Sequence, residues 1–248
     1  MTDTVYDQLR RAADAGDHEA VLRETERLLA EDPGSDAAHA LRARALLALN
    51  RLEEAERHAS DAVRLDPEEI RYRELLAEVL AAEGAHRDAA TEYGRLARND
   101  PAQPAWTLAE AHQRLDAAQP LASVEAARRA VRLDARNAEA QLALARGLLR
   151  TGDARGALQA ASVAAELLPG DRRARETLAD AHWLADQDAA AWIEFRALAN
   201  ETDGADRERV IGKARQLYLQ HAGWLGRLLA GIAPLFRVAL LRGWITVR

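Results

Sequence analysis

No cysteine occurs in the 248-residue sequence, which excludes a disulfide framework and any thiolate metal site. Aromatic residues are scarce at 4 %, so alanine and leucine supply most of the 48 % hydrophobic content, a mix that favours helix. Lysine occurs once, at Lys213; nearly all positive charge is therefore arginine, which we read, with the abundant alanine, as codon bias rather than phosphate chemistry. Acid is missing from residues 209–248, where Arg209, Lys213, Arg215, Arg227, Arg237, Arg242 and Arg248 stand without one Asp or Glu. The formal net charge of −6 thus divides into +7 there and −13 over residues 1–208, a balance that argues against nucleic-acid binding by the main body. The opening MTDTVYDQLRRAADAGD joins no basic start to an apolar run, so no secretory signal is read and a cytoplasmic protein is expected.

The motifs of catalysis are missing as well. There is no G-x-x-x-x-G-K-[ST] phosphate loop, no G-x-G-x-x-G and no G-x-S-x-G. Acid pairs such as Glu53-Glu54 and Glu68-Glu69 are adjacent and would diverge on a helix. The seven histidines, at 18, 39, 58, 86, 112, 182 and 221, include no two that are three or four apart, the spacing by which one helix presents metal ligands. No catalytic residue, cofactor or metal site is expected.

A rhythm is present instead. Pro33, Pro67, Pro101 and Pro169 fall at intervals of 34, 34 and 68, and Ala135 follows Leu133-Asp134 just as Pro67 follows Leu65-Asp66. Between markers there is room for two helices. In residues 70–101 Leu75, Leu76, Val79 and Leu80 recur at helical spacing, Gly84 interrupts, and Ala89, Tyr93, Leu96 and Ala97 resume before Pro101. Glycine at 84 suits a helix end because it takes positive φ without steric cost. Proline disfavours helix at the residue before it and lacks an amide donor, so Pro101 stops the second helix.

In this the chain resembles the tetratricopeptide repeat (TPR) family, whose unit is 34 residues in two antiparallel helices. The resemblance covers units 2–35, 36–69, 70–103, 104–137, 138–171 and 172–204. It assigns the small residue of the first helix to Ala43, Ala77, Ala111, Ala145 and Ala179. The small residue of the second helix falls on Ala55, Ala89, Ser123, Ala157 and Ala191. The first unit departs, with Leu9 and Val21 at these sites, and the fourth has Pro120 where a turn glycine would stand. What the resemblance implies is an all-α solenoid of about six helical hairpins whose concave face, lined by first helices, takes a protein or peptide. On that geometry Tyr6, Arg10, Arg44, Arg71, Glu78, His112, Arg146, Arg150, Asp180 and Trp183 look into the groove. The family's Lys and Asn clamp for a C-terminal carboxylate has other residues at its positions here.

A solenoid must seal its last apolar edge. Residues 205–220 supply a capping helix, with Val210, Ile211, Ala214, Leu217 and Tyr218 on one face. Residues 221–248 then form a basic amphipathic extension. Within Gly223–Arg248 the longest uncharged stretch, Leu228 to Phe236, is far shorter than the ~20 residues a spanning helix needs. On a wheel Arg227, Arg237 and Arg242 gather on one side and Leu228, Ile232 and Phe236 on the other, with Trp224 and Trp244 near the ends. Such a segment suits a partner's groove or self-association, an anionic membrane surface, or the chain's own solenoid. The sequence therefore points to a non-catalytic interaction scaffold or adaptor. The alternative is a peripheral membrane protein at the inner face of the membrane, tied there by this segment with the solenoid as spacer.

Overall fold

The structure is a computed structural model that describes residues 2–221, and these form thirteen helices with no strand among them. They are α1 (Thr2–Asp14), α2 (His18–Glu31), α3 (Asp36–Ala48), α4 (Leu52–Leu65), α5 (Ile70–Ala82), α6 (His86–Asn99) and α7 (Pro104–Asp116). There follow α8 (Pro120–Leu133), α9 (Ala138–Thr151), α10 (Ala154–Leu167), α11 (Arg172–Leu184), α12 (Asp188–Glu201) and α13 (Gly204–His221). Two compact units divide at Gln119/Pro120, the first containing α1–α7 and the second α8–α13.

Each helix end has a local cause. The residues before three of the marker prolines, Asp32, Asp66 and Asp100, have φ of −134°, −130° and −130°, the extended backbone that a following proline imposes. Side chains of Ser35, Asn137 and Asp171 accept hydrogen bonds from first-turn amides of α3, α9 and α11. Between successive helices one left-handed residue recurs, at Gly16, Asn50, Gly84, Ala118, Gly152 and Asp186, with φ between 55° and 82°. These six positions are 34 apart, so the turn keeps the same time as the prolines, although only three of them are glycine.

Packing follows the same beat. Within the first unit α3 packs on α4, α5 on α6, and the first helices α1, α3 and α5 lie side by side. The second unit repeats this with α9 on α10, α11 on α12, and α9 beside α11. The alanines assigned to the small sites of first and second helices, together with Ser123, are completely buried, as are Ala59, Ala127, Ala161 and Phe195 one turn further on. A methyl there lets two helix backbones approach where a larger side chain would hold them apart. In the first hairpin Leu9 and Val21 are buried instead and join Leu41 and Leu46 in one apolar cluster. Gly147 on α9 marks a close approach of α8, since a Cβ there would come within 2.9 Å of Val124 Cγ2.

The second unit closes with α13. Val210, Ile211, Ala214 and Leu217 are buried against Trp192, Phe195, Leu198 and Ala199 of α12, and Tyr218 packs at the margin. Among the described residues no helix is long and apolar enough to cross a membrane. Trp224, Arg227, Leu228, Ile232, Phe236, Arg237, Arg242 and Trp244 lie outside the described residues.

Candidate functional site

In the first unit, α1, α3 and α5 present one face, and three of the arginines singled out from the sequence meet on it. Arg10, Arg44 and Arg71 border a recess of about 150 Å³ whose floor includes Ala37, Ala40, Leu41 and Leu75. Spacing explains the meeting, because Arg10 and Arg44 are one repeat apart and α1 lies against α3. Arg10 Nη1 donates to Asp7 Oδ1 (3.0 Å) and Arg71 Nε to Glu69 Oε1 (3.1 Å). Both arginines are exposed, so these local pairs are weak and can be exchanged for a ligand's carboxylate. At the rim the Tyr72 hydroxyl donates to Asp36 Oδ2 (3.0 Å), and burial with this bond pushes its pKa well above the ordinary phenol value. The Tyr6 hydroxyl is 2.7 Å from Ser35 Oγ and ties α1 to the start of α3.

Further along α5 the charge reverses. Desolvation and the neighbouring Glu74 raise the Glu78 carboxyl above its ordinary value, while Arg44 opposes them. Glu74 accepts from Trp106 Nε1 of α7 (3.0 Å), and burial beside the two acids pushes the Tyr93 phenol up to about 12. His112 on α7 is partly buried and has interacting neighbours.

The second unit treats its predicted residues differently. Arg146 and Arg150 of α9 are exposed. Asp180 is taken by α13, whose Lys213 Nζ lies 2.6 Å from Asp180 Oδ2 and 2.8 Å from Glu176 Oε1. Arg209 closes the cluster by pairing with Glu176. Burial raises the Asp180 carboxyl; Glu176 stays below its ordinary value because hydrogen bonds from Arg209 and Lys213 outweigh its own desolvation. Trp183 is likewise engaged, donating from Nε1 to Gln220 Oε1 (2.9 Å) beside Leu149 and Leu184. Tyr6, Asp180 and Trp183 are thus tied to neighbouring helices or their caps, whereas Arg10 and Arg71 hold only exposed local partners, and the first-unit arginines form the face best disposed to receive a charged ligand.

Two recurrent arrangements were not legible from residue types. At the fourth position of α3, α5 and α9, three side chains of unlike chemistry, His39 through Nε2, Arg73 through Nη2 and Gln141 through Nε2, reach back to the carbonyls of Pro33, Pro67 and Ala135, each six residues earlier. The same column also meets the second helix nineteen residues on: Arg73 with Glu92 (2.9 Å), Arg175 with Glu194 (3.5 Å), and His39 with His58 (2.9 Å). The last pair bears on the sequence expectation of no metal cluster, which weighed spacing along single helices. Between antiparallel α3 and α4, His39, His58 and Asp61 place one ligand atom each within 4.8 Å of one another. Desolvation, with the charges of His39 and Arg42 nearby, lowers the His58 pKa to about 4, so its ring is neutral at neutral pH.

Comparison with known proteins agrees with this architecture. The tetratricopeptide-repeat family profile matches residues 12–79. No curated protein matches the sequence. Among solved structures, a tetratricopeptide repeat protein from Parabacteroides merdae is 13 % identical with a TM-score of 0.69 over 97 % of each chain. The C-terminal part of a TPR repeat-containing protein from Cytophaga hutchinsonii is 13 % identical, with a TM-score of 0.70 over 86 % of each chain. YrrB, described as a TPR protein with an unusual peptide-binding site, is 17 % identical with a TM-score of 0.61, over 75 % of this chain and 96 % of its own. At these identities the likeness is one of fold, and the fold is that of TPR proteins.

Proposed function

We propose that the chain is a non-catalytic scaffold that binds a protein segment against the first-helix face of its N-terminal unit. The observation that carries this reading is the recess bordered by Arg10, Arg44 and Arg71 over an apolar floor. Planar guanidiniums pair bidentately with carboxylates, and a small apolar floor accepts one side chain between them. The ligand that fits is an extended segment with two or more acidic side chains flanking a small apolar one. The peptide-binding site named for YrrB supports the class of ligand, not its sequence. Residues 221–248, acid-free and rich in arginine and tryptophan, serve in this reading as a separate docking or self-association element. Flotation of the full chain and of a chain ending at Gln220 on anionic vesicles distinguishes that role from lipid anchoring, which predicts loss of flotation on truncation.

The binding test is a peptide selection on immobilised full-length protein, followed by affinity measurements on Arg44→Glu and on the triple variant with Arg10→Glu and Arg71→Glu. Acidic peptides should be enriched, bind Arg44→Glu at least about tenfold more weakly, and weaken with salt. Selected peptides that bind the triple variant as tightly as the natural chain would remove the recess from consideration.

A further inference from the structure

The cluster at the α3/α4 crossing has ligand geometry that its hydrogen bonds alone do not require. Nδ1 of His39 and Nδ1 of His58 are 2.9 Å apart, and Asp61 Oδ2 is 3.9 Å from His39 Nδ1. Asp61 follows His58 by three residues, which places both on one face of α4. Ligands bound at 2.0–2.1 Å in a tetrahedral shell are about 3.3 Å from each other; the two separations from His39 lie on either side of that edge, and all three ligand atoms lie within 4.8 Å of one another. The surroundings orient each ligand. His39, a buried residue, donates from Nε2 to the Pro33 carbonyl (3.2 Å), leaving the Nδ1 lone pair aimed into the cluster. A distal N–H tied to a backbone carbonyl is how protein frameworks commonly hold a metal-ligating imidazole. Asp61 Oδ1 accepts from Arg64 (2.8 Å), which fixes the carboxylate with Oδ2 toward the rings.

We propose that His39, His58 and Asp61 form a binding site for one divalent cation of the zinc class, with two imidazole nitrogens and one carboxylate oxygen as protein ligands and water completing the shell. Two imidazoles and a carboxylate are a borderline donor set, suited to Zn²⁺, Co²⁺ or Ni²⁺ and poorly matched to Ca²⁺ or Mg²⁺. Arg42 governs access. Its Nε–H donates to His58 Nε2 (3.2 Å), so without metal the His58 proton sits on Nδ1 and bridges to His39 Nδ1. The cation takes the place of that bridging proton, which moves to His58 Nε2; no proton is lost from the pair, and the ring changes tautomer. Arg42 then gives up its bond to Nε2 while keeping the one from Nη1 to the Leu22 carbonyl (2.8 Å). The guanidinium therefore opposes binding twice, as a like charge and as a competing donor.

The test uses the full-length protein freed of metal with a chelator, titrated with Zn²⁺ by calorimetry and with Co²⁺ by visible absorption. The expected result is one saturable Zn²⁺ per chain, with Co²⁺ giving the intensified absorption of a low-coordinate nitrogen and oxygen site. Asp61→Asn should weaken Zn²⁺ about tenfold, and His58→Gln more strongly. Arg42→Gln should tighten it about tenfold, an effect that a surface histidine elsewhere would not show. His58→Gln retains an acceptor for Arg42, and thermal melts in chelator check that each variant folds; if His58→Gln does not, Asp61→Asn and Arg42→Gln decide. Absence of saturable Zn²⁺ binding, or equal affinity in the natural chain, Asp61→Asn and Arg42→Gln, overturns the proposal.

Discussion

Ala118 adopts the left-handed backbone (φ 55°) that Gly16, Gly84 and Gly152 adopt in equivalent turns with no Cβ to accommodate. The conformation costs an alanine roughly 1–2 kcal/mol, of which the greater freedom of glycine in the unfolded chain returns about half. Ala118→Gly should therefore stabilise the first unit by about 0.5–1 kcal/mol, read as a higher urea midpoint. The converse is expected at Gly152, which has nothing within 4 Å of a built Cβ: Gly152→Ala should lower stability by a similar amount through backbone strain alone. Glu78 offers a pH-dependent counterpart. Its carboxyl is raised in the folded state by desolvation and Glu74, so its ionisation costs stability above the ordinary value of 4.5, and that cost fades as pH falls through the raised value. Glu78→Gln should raise the melting temperature at pH 7, and the difference from the natural chain should close below pH 4.5, as followed by circular dichroism.

At the scale of elements, α13 is joined to its unit by an apolar stripe and a charged one. Leu217, completely buried against α12, makes the stripe directly testable: Leu217→Ala should cost about 2–5 kcal/mol. In a repeat array each element contacts its neighbours, so the loss should concentrate there. Hydrogen exchange should speed up in α12 and α13 and stay unchanged in α3 and α4. The apolar stripe of α13 was legible in the sequence because Val210, Ile211, Ala214 and Leu217 keep helical spacing. Its charged contacts were not, since Lys213 meets Asp180 and Glu176 across more than thirty residues of chain. That is why Asp180 reads from the sequence as a groove residue yet is engaged by α13. Gly147 shows the same limit: the residue is visible, but its need for smallness comes from Val124 on another helix.

For the molecule as a whole, the 34-residue period could be read wherever one residue type performs one task, as proline does at helix ends and alanine at close crossings. It could not be read where different residues perform the same task, as Asn50, Ala118 and Asp186 do in the turns and His39, Arg73 and Gln141 do against the carbonyl six residues back. The meeting of Arg10 and Arg44 was legible because they are one repeat apart, with Arg71 joining from the start of α5; the His39, His58 and Asp61 cluster depends on two helices meeting. The single lysine has a consequence of another kind. Lys213 is the only side-chain amine in the sequence, and its Nζ is held between Asp180 and Glu176, 5.9 Å from the centre of the Phe195 ring. Acylation requires that amine to be free and uncharged, so a simple amine-reactive dye becomes a clock for the opening of α13. Labelling at Lys213 should be slow in the folded chain, fast in urea, and accelerated by Leu217→Ala, with peptide mass spectrometry as the readout and no engineered probe needed.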